Sequence, residues 1–584
     1  MNIAFSWRHR RRRGLAALLS AAALVAGSVL STAVPAQAAD ESITVDFSVA
    51  GGSPTYRASG WIYGMTENGA NPPDNYFTDV KFRYMRAGGA QLDSPGGWVS
   101  GKYDRRWNAT RAQLLRTRSL GGQFVLLVHD LWGADGYPIS RFPGDNGNWS
   151  DYDAFLTRLI DDVRATGAPV QWDLWNEPNI TLFWNRPQSQ YFEMWKRAYQ
   201  RIRAAFPSHL IVGPSFAGVP STGGWWTQYL DYVKANNLVP DIVSWHSLPG
   251  DPVANVATAN TTLDSRGIAH PRPYQINEYG ASNEQNPADG AWYIARLERA
   301  GADGLRANWA GGSNLHNDLA NLLTHNSSGQ YQPKGEWWVY RFYGSQTGQI
   351  ASVTPSSNYD AFATKTSGTA KILIGGGRTT GNIAVTLQRL DTTTDIVQNN
   401  QVRVLVERIP YNNGGAVTGP VTVQNTVATL SGNATTVNLP HTTVDDTFTI
   451  TLLPPGGSTP SPSPSPSPSP SSTPSPSPDS SPTPPVGGAC SATIETTNSW
   501  PGGFQSTVTV RAGSAPVDGW TVKWTWPSGQ TISSLWNGTQ SVSGSSVTVR
   551  NAAYNGSIAA GSSTTFGFTA NGSAATPTAT CTSP

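Results

Sequence analysis

Cysteine is almost missing from this chain: Cys490 and Cys581 are the only two in 584 residues, and both lie near its C-terminal end. Most of the protein therefore cannot be a disulfide-stapled scaffold, and no cysteine-built metal centre is available to it. Charge is also scarce, at 13% of residues against about a quarter in ordinary soluble domains. The formal balance is +2, and the five arginines between Arg8 and Arg13 more than account for it. The rest of the chain is close to neutral and offers no basic face for nucleic acid or an anionic membrane. Beyond the run Leu15 to Leu30 no apolar stretch approaches spanning length. No G-x-S-x-G elbow stands at a strand-to-helix turn, which argues against a serine hydrolase. His129-Asp130 has no third ligand at useful spacing, so neither a metal nor another cofactor is expected.

What is present divides the chain into regions. Residues 1–39 have a basic start, an apolar run and small residues at Ala36-Gln37-Ala38-Ala39, the layout of a secretory signal. An exported, extracellular protein is implied, free of the membrane once the signal is removed. In that oxidising setting Cys490 and Cys581 are expected to pair, and closing about 90 residues of chain contributes roughly 4–5 kcal/mol. The Pro-Ser-Thr run from Ser458 to Pro485 marks a linker over 456–488. It cannot bury a core, and as polyproline II its ends could stand up to about 90 Å apart.

Ahead of the linker, eight strand-like runs alternate with amphipathic stretches: Gly60–Thr66, Lys81–Gly89, Gln123–Asp130, Val170–Pro178, Leu210–Phe216, Asp241–Ser247, Tyr274–Gly280 and Leu305–Gly311. Helices are expected between them, for example over Asp151–Thr166 and Gln190–Phe206. This alternation predicts an α/β fold, a (β/α)8 TIM barrel over residues 40–345. Glu67, Arg86, His129, Glu177, Ser215, His246, Glu278 and Trp309 fall where the runs end, which is the active face of such a barrel. Residues 346–455 change to short alternating strands with Gly- and Asn-rich turns, the pattern of a β-sandwich accessory domain, to which Ile43–Phe47 could add a strand. Residues 489–584 read as a further small all-β unit.

The chemistry concentrates in two of the eight runs. Gln171–Asn179 ends in Asn176-Glu177-Pro178, and Tyr274–Gly280 carries Glu278. Two carboxylates at two strand exits, one protonated and one ionised, are what cleavage of a glycosidic bond requires. Trp132, Trp175, Trp184, Trp225 and Trp226 either stack on sugar rings or pack the core.

The Asn-Glu-Pro after the fourth run together with a glutamate on the seventh resembles clan A of the glycoside hydrolases, which are retaining enzymes. The barrel-plus-sandwich layout over about residues 41–455 looks most like glycoside hydrolase family 39. The resemblance implies that Glu177 is the acid/base, Glu278 the nucleophile, and Asn176 a partner of the sugar 2-hydroxyl. It implies further that Arg86 and His246 support the nucleophile or substrate and that Trp309 provides an aromatic floor, while His129, read from its strand-end place, is a further candidate to line the site. Residues 489–584, with WPGGF, GWTVKW, SLWNG and FGFTANG, resemble a family 2 carbohydrate-binding module. That implies a strip of aromatics for cellulose at Trp500, Trp536 and Tyr554, the last departing from the usual Trp, with Trp520 and Trp524 in the core. The expected whole is a secreted retaining hydrolase that cuts plant cell-wall polysaccharide or oligosaccharide and is held at a cellulose surface. Alternatives are action on arabinoside or galactoside side chains or on a microbial exopolysaccharide, and a barrel that binds carbohydrate without cutting it.

Overall fold

A computed structural model describes residues 39–583 except 136–138, 140, 311–314, 378, 458–489, 501, 553–554 and 559, with only the backbone of 497, 498 and 500. All but the last residue of the expected signal segment and nearly all of the linker lie outside the described residues, as do Tyr554 and the side chain of Trp500. The chain forms two compact units, one within Met1–Ser469 and one within Pro470–Pro584.

The first strand, β1 (Glu41–Asp46), belongs to the sandwich, so the barrel proper begins at Gly60 rather than at residue 40. Eight parallel strands then close into a barrel: β2 (Gly60–Ile62), β3 (Tyr84–Ala87), β4 (Gln123–Leu127), β5 (Gln171–Asp173), β6 (Ile211–Phe216), β7 (Ile242–Ser247), β8 (Tyr274–Tyr279) and β9 (Asp303–Arg306). Each falls within or overlaps one of the eight runs read from sequence. The strands are buried on both faces, which is why they read as nearly continuous apolar runs and not as alternating ones.

Around the barrel run α1 (Asn75–Thr78), α2 (Tyr103–Ser119), α3 (Val128–Trp132), α4 (Ser150–Thr166), α5 (Gln188–Ala205), α6 (Gly224–Ala235), α7 (Pro252–Asp264), α8 (Pro287–Ala300) and α9 (Gly335–Gly344). Helix α8 shows how the sequence sets such an element. Asn286 caps it by accepting a bond from the Asp289 amide at 2.9 Å, Pro287 opens its first turn, and Gly301 ends it in the left-handed region. Trp132, Trp175, Trp184 and Trp226 are core residues, each at most 3% exposed, and Trp225 packs against Tyr191 and Phe216. Packing therefore claims four of the five tryptophans that could have met sugar.

A short hairpin, β10 (Leu323–His325) and β11 (Tyr331–Pro333), precedes the sandwich. The sandwich strands are β12 (Gln349–Ile350), β13 (Ser352–Thr354), β14 (Tyr359–Lys365), β15 (Ala370–Gly376), β16 (Gly381–Gln388), β17 (Gln401–Ile409), β18 (Val421–Thr429), β19 (Thr435–His441) and β20 (Thr447–Leu453). One sheet has the order β13-β1-β16-β19 and the other β12-β14-β15-β20-β17-β18. The outer face of the six-stranded sheet is covered by the barrel, since Phe362 and Leu373 join the barrel's own apolar core. At the same seam the fully buried Asp360 accepts bonds from Arg299 on α8 at 2.5 and 3.3 Å, with Arg296 at 3.4 Å.

The second unit stacks two four-stranded antiparallel sheets. One holds Cys490–Trp500, Gly503–Ala512, Ser563–Asn571 and Thr531–Trp536, and the other Gly538–Ser543, Ser546–Asn551, Thr521–Thr525 and Thr580–Thr582. Cys490 and Cys581 are disulfide-bonded. Trp520, Trp524 and Trp526 fill its core, with Trp520 stacked on Phe566 at 5.3 Å. Trp536 is 38% exposed. Its ring lies over Gly567, its cross-strand partner, where a Cβ would come within 2.5 Å of the indole. Only glycine lets the ring lie flat on the strand.

Candidate active site

The barrel brings Arg86, Asn176, Glu177, His246 and Glu278 together at the C-terminal ends of its strands. Glu278 sits near the end of β8, and His246, near the end of β7, is its register partner. The ladder shifts register between Trp245 and His246 and again between Ile276 and Tyr279. Such irregularities re-aim side chains where regular pairing stops. Glu177 follows β5 and donates its backbone N–H to the Ser215 carbonyl at 2.9 Å. Its φ of 44° places a non-glycine residue in the left-handed region, a conformation kept only where the surroundings hold it.

One oxygen of Glu177, one of Glu278 and a ring nitrogen of His246 all lie within 4.8 Å of one another. His246 Nδ1 is 2.7 Å from Glu177 Oε1, and its Nε2 is 3.7 Å from Glu278 Oε1. The glutamate side chains keep 14% and 18% exposure, enough to meet a ligand, while the imidazole is fully buried behind them. Arg86 is fully buried as well. Its Nη1 donates to Glu278 Oε1 at 2.8 Å, its Nη2 to Asn176 Oδ1 at 2.7 Å and its Nε to Asp173 Oδ2 at 2.8 Å. A guanidinium only donates, so Asn176 turns its oxygen to Arg86 and keeps its amide N–H group for an acceptor.

Burial raises the Glu278 carboxyl above its ordinary range, and the like charge of Glu177 adds to that. His246 and Arg86 pull in the opposite direction by favouring the ionised form. Burial is also the main effect on His129, whose imidazole is driven well below its usual value, with Arg86 and Arg106 adding to it. His129 is buried, its ring edge-on to Trp175 at 5.6 Å and to Phe183 at 5.5 Å. His129 is thus enclosed among aromatics, with its Nδ1 2.7 Å from Asp130 Oδ1. Asp130 beside it, bonded by the Tyr63 hydroxyl, is raised well above the carboxylate range by burial and then by Asp135, Asp173 and Glu278.

Trp309 follows β9, is 48% exposed, and donates its indole N–H to the Gly280 carbonyl at 2.9 Å. This pins an open aromatic face to the turn after Glu278. Glu67, another strand-end residue, instead bonds the exposed Arg105 away from this group. Sequence reasoning passed over Asp173 and Asn277, which with the strand-end residue Ser215 form a buried polar layer beneath the pair. Asp173 accepts from Ser215 Oγ at 2.9 Å and from Asn277 Nδ2 at 2.9 Å. The available signal was an acid and an amide inside two otherwise apolar runs.

Fold and site together define a closed parallel barrel with two carboxylates facing each other at its mouth, joined in one chain to a disulfide-closed β module. Residues 490–583 match the family model described as a cellulose binding domain. The chain is 60% identical over 90 residues to Endoglucanase A of Thermobispora bispora, a match covering 15% of this chain and 20% of that protein. Over 229 residues, 37% of this chain, it is 25% identical to a 3-O-alpha-D-galactosyl-alpha-L-arabinofuranosidase of Bifidobacterium longum subsp. longum, a match covering 17% of that protein. This chain therefore spans a fifth or less of the length of either relative. The crystal structure of the GH39 enzyme of Xanthomonas axonopodis pv. citri aligns with a TM-score of 0.50 at 14% identity, over 73% of this chain and 100% of that one. At that identity the likeness is one of fold.

Proposed function

We propose that this protein is a secreted retaining glycoside hydrolase acting on plant cell-wall polysaccharide or oligosaccharide, carried to cellulose by its C-terminal module. The observation that carries the proposal is the carboxylate pair within 4.8 Å. Retaining hydrolysis uses carboxyl groups about 5–5.5 Å apart, whereas inverting enzymes leave roughly 6.5–9.5 Å for a water. Glu278, ion-paired to Arg86, attacks the anomeric carbon as nucleophile. Glu177, bonded to His246, protonates the departing oxygen. A glycosyl-enzyme ester on Glu278 results, and Glu177 then takes a proton from the water that cleaves it, with retention of configuration. Asn176 offers its amide N–H to a sugar hydroxyl, and Trp309 a face for the ring.

Membership of family 39 belongs to the same proposal, supported by the shared fold with the Xanthomonas enzyme. Export is supported by the N-terminal pattern and by the disulfide. A second reading, hydrolysis of arabinoside or galactoside side chains, is favoured by the arabinofuranosidase relative. The test is mass spectrometry of products from xylan, arabinan, arabinogalactan, mannan and β-glucan, comparing wild type with Glu278→Gln. Products from one glycan that vanish in the variant name the substrate, and proton NMR of the fresh product reads its anomeric configuration. Full activity in Glu278→Gln, or an inverted first product, would refute the mechanism. Binding to cellulose with no cleavage of any glycan would leave a barrel that only binds.

A further inference from the structure

We propose that Asp173 is a positioning residue that sets the separation of Glu177 and Glu278, an inference that rests on reading those two as the catalytic pair. Asp173 bonds Arg86, Ser215 and Asn277, not either glutamate. It acts through the Arg86 guanidinium, a rigid planar fork. With Nε held by Asp173, one remaining arm meets Glu278 and the other meets Asn176, the residue before Glu177. One cation thus spaces both glutamates, and the fork can do so only if its third corner is fixed.

The bonds form a closed circuit. Asn277, the residue before Glu278 on β8, reaches Asp173 on β5; Asp173 holds Arg86 on β3; Arg86 returns to the Glu278 carboxylate. None of these three strands neighbours another in the barrel. All three links therefore cross its interior and tie the Glu278 carboxylate back to its own strand. Arg86, Asp173 and Asn277 are each fully buried. Water cannot substitute for a lost link without reorganisation, so an error at Asp173 passes on to the carboxylates.

Asp173→Asn keeps the shape but can turn an N–H toward donors, which frees the fork. With the glycan that wild type is found to cleave, we expect kcat to fall about a hundredfold with KM little changed, as for a misplacement on the order of 1 Å. The acid limb of kcat/KM should also move to higher pH. The groups facing Glu278 are Arg86 from β3, His246 from β7, Glu177 from the loop after β5 and Asp130 from α3, while Arg86 is faced by Asp173, Asn176 and Glu278. A loosened Arg86 favours ionised Glu278 less, which moves the limb up. Loss of the Asp173 charge alone would ease that ionisation and move it down. A limb that stays or moves down overturns the proposal.

Ser215→Ala removes one Asp173 bond without changing charge, and should give a smaller shift in the same direction; it carries the test if Asp173→Asn does not fold. A crystal structure of the variant gives an answer that does not depend on activity. It should show Arg86 Nη1 beyond 3.5 Å from Glu278, and an unmoved fork overturns the positioning role. A wild type that cleaves no glycan would sink the glycosidase reading, while the variant structure would still decide whether Asp173 holds the fork.

Discussion

Removing the indole of Trp536 by Trp536→Ala should weaken adsorption of the whole protein to cellulose. A tryptophan presents up to about 250 Å². With 38% of the residue exposed, roughly 95 Å² is available to stack on a glucan, which at about 25 cal/mol per Å² is about 2.4 kcal/mol. Ordering and desolvation on the polymer take part of that. The expected loss is therefore about 2 kcal/mol, roughly thirtyfold in Kd. Depletion isotherms on microcrystalline cellulose measure it directly. Gly567→Ala provides an independent handle, because the added Cβ lifts the ring from the strand without removing it. Its isotherm should weaken in the same direction. An unchanged isotherm for Trp536→Ala would refute the stacking argument, and an unchanged one for Gly567→Ala would show that the flat seat of the ring is irrelevant.

Three further outcomes are expected. The nucleophile must be ionised and the Glu278 carboxyl is raised, so kcat/KM should be lost, as pH falls, above the ordinary carboxylate range; a pH profile with its acid limb at or below that range contradicts the assignment. Asp360→Ala removes the buried carboxylate that ties the partly exposed Arg299 to the seam between barrel and sandwich, and should cost about 1.5–3 kcal/mol in thermal or denaturant unfolding of that unit. Replacing both Cys490 and Cys581 by Ser opens a loop of 91 residues and should lower the module's stability by about 4–5 kcal/mol in denaturant titration.

The barrel was legible because a parallel strand covered on both sides writes itself as an apolar run, and eight such runs are hard to mistake. Glu177 and Glu278 were legible for a related reason: each is a charged residue at the exit of such a run. The layer beneath them was not. Asp173 and Asn277 sit inside the runs, where a single polar residue among apolar neighbours does not reveal which distant strand it reaches. For His129 the strand-end position did not reveal the packing, which encloses the ring against Trp175 and Phe183. The tryptophans were ambiguous on their own, since core and sugar platform use the same residue and only exposure separates Trp309 and Trp536 from Trp132 or Trp175.

The seat of β1 affects how the molecule must be made. Its residues pair in parallel with β16, and the Gln388 amide donates to Asp46 across 342 residues of intervening chain. The sandwich therefore cannot close until the whole barrel has emerged during synthesis, and its first strand waits unpaired until then. Once closed, it clasps the two ends of the barrel in one sheet. A sandwich grafted from residue 346 onward would lack β1, and a chain trimmed at residue 345 would leave β1 without its partners β13 and β16. A transplantable unit has to begin at Glu41.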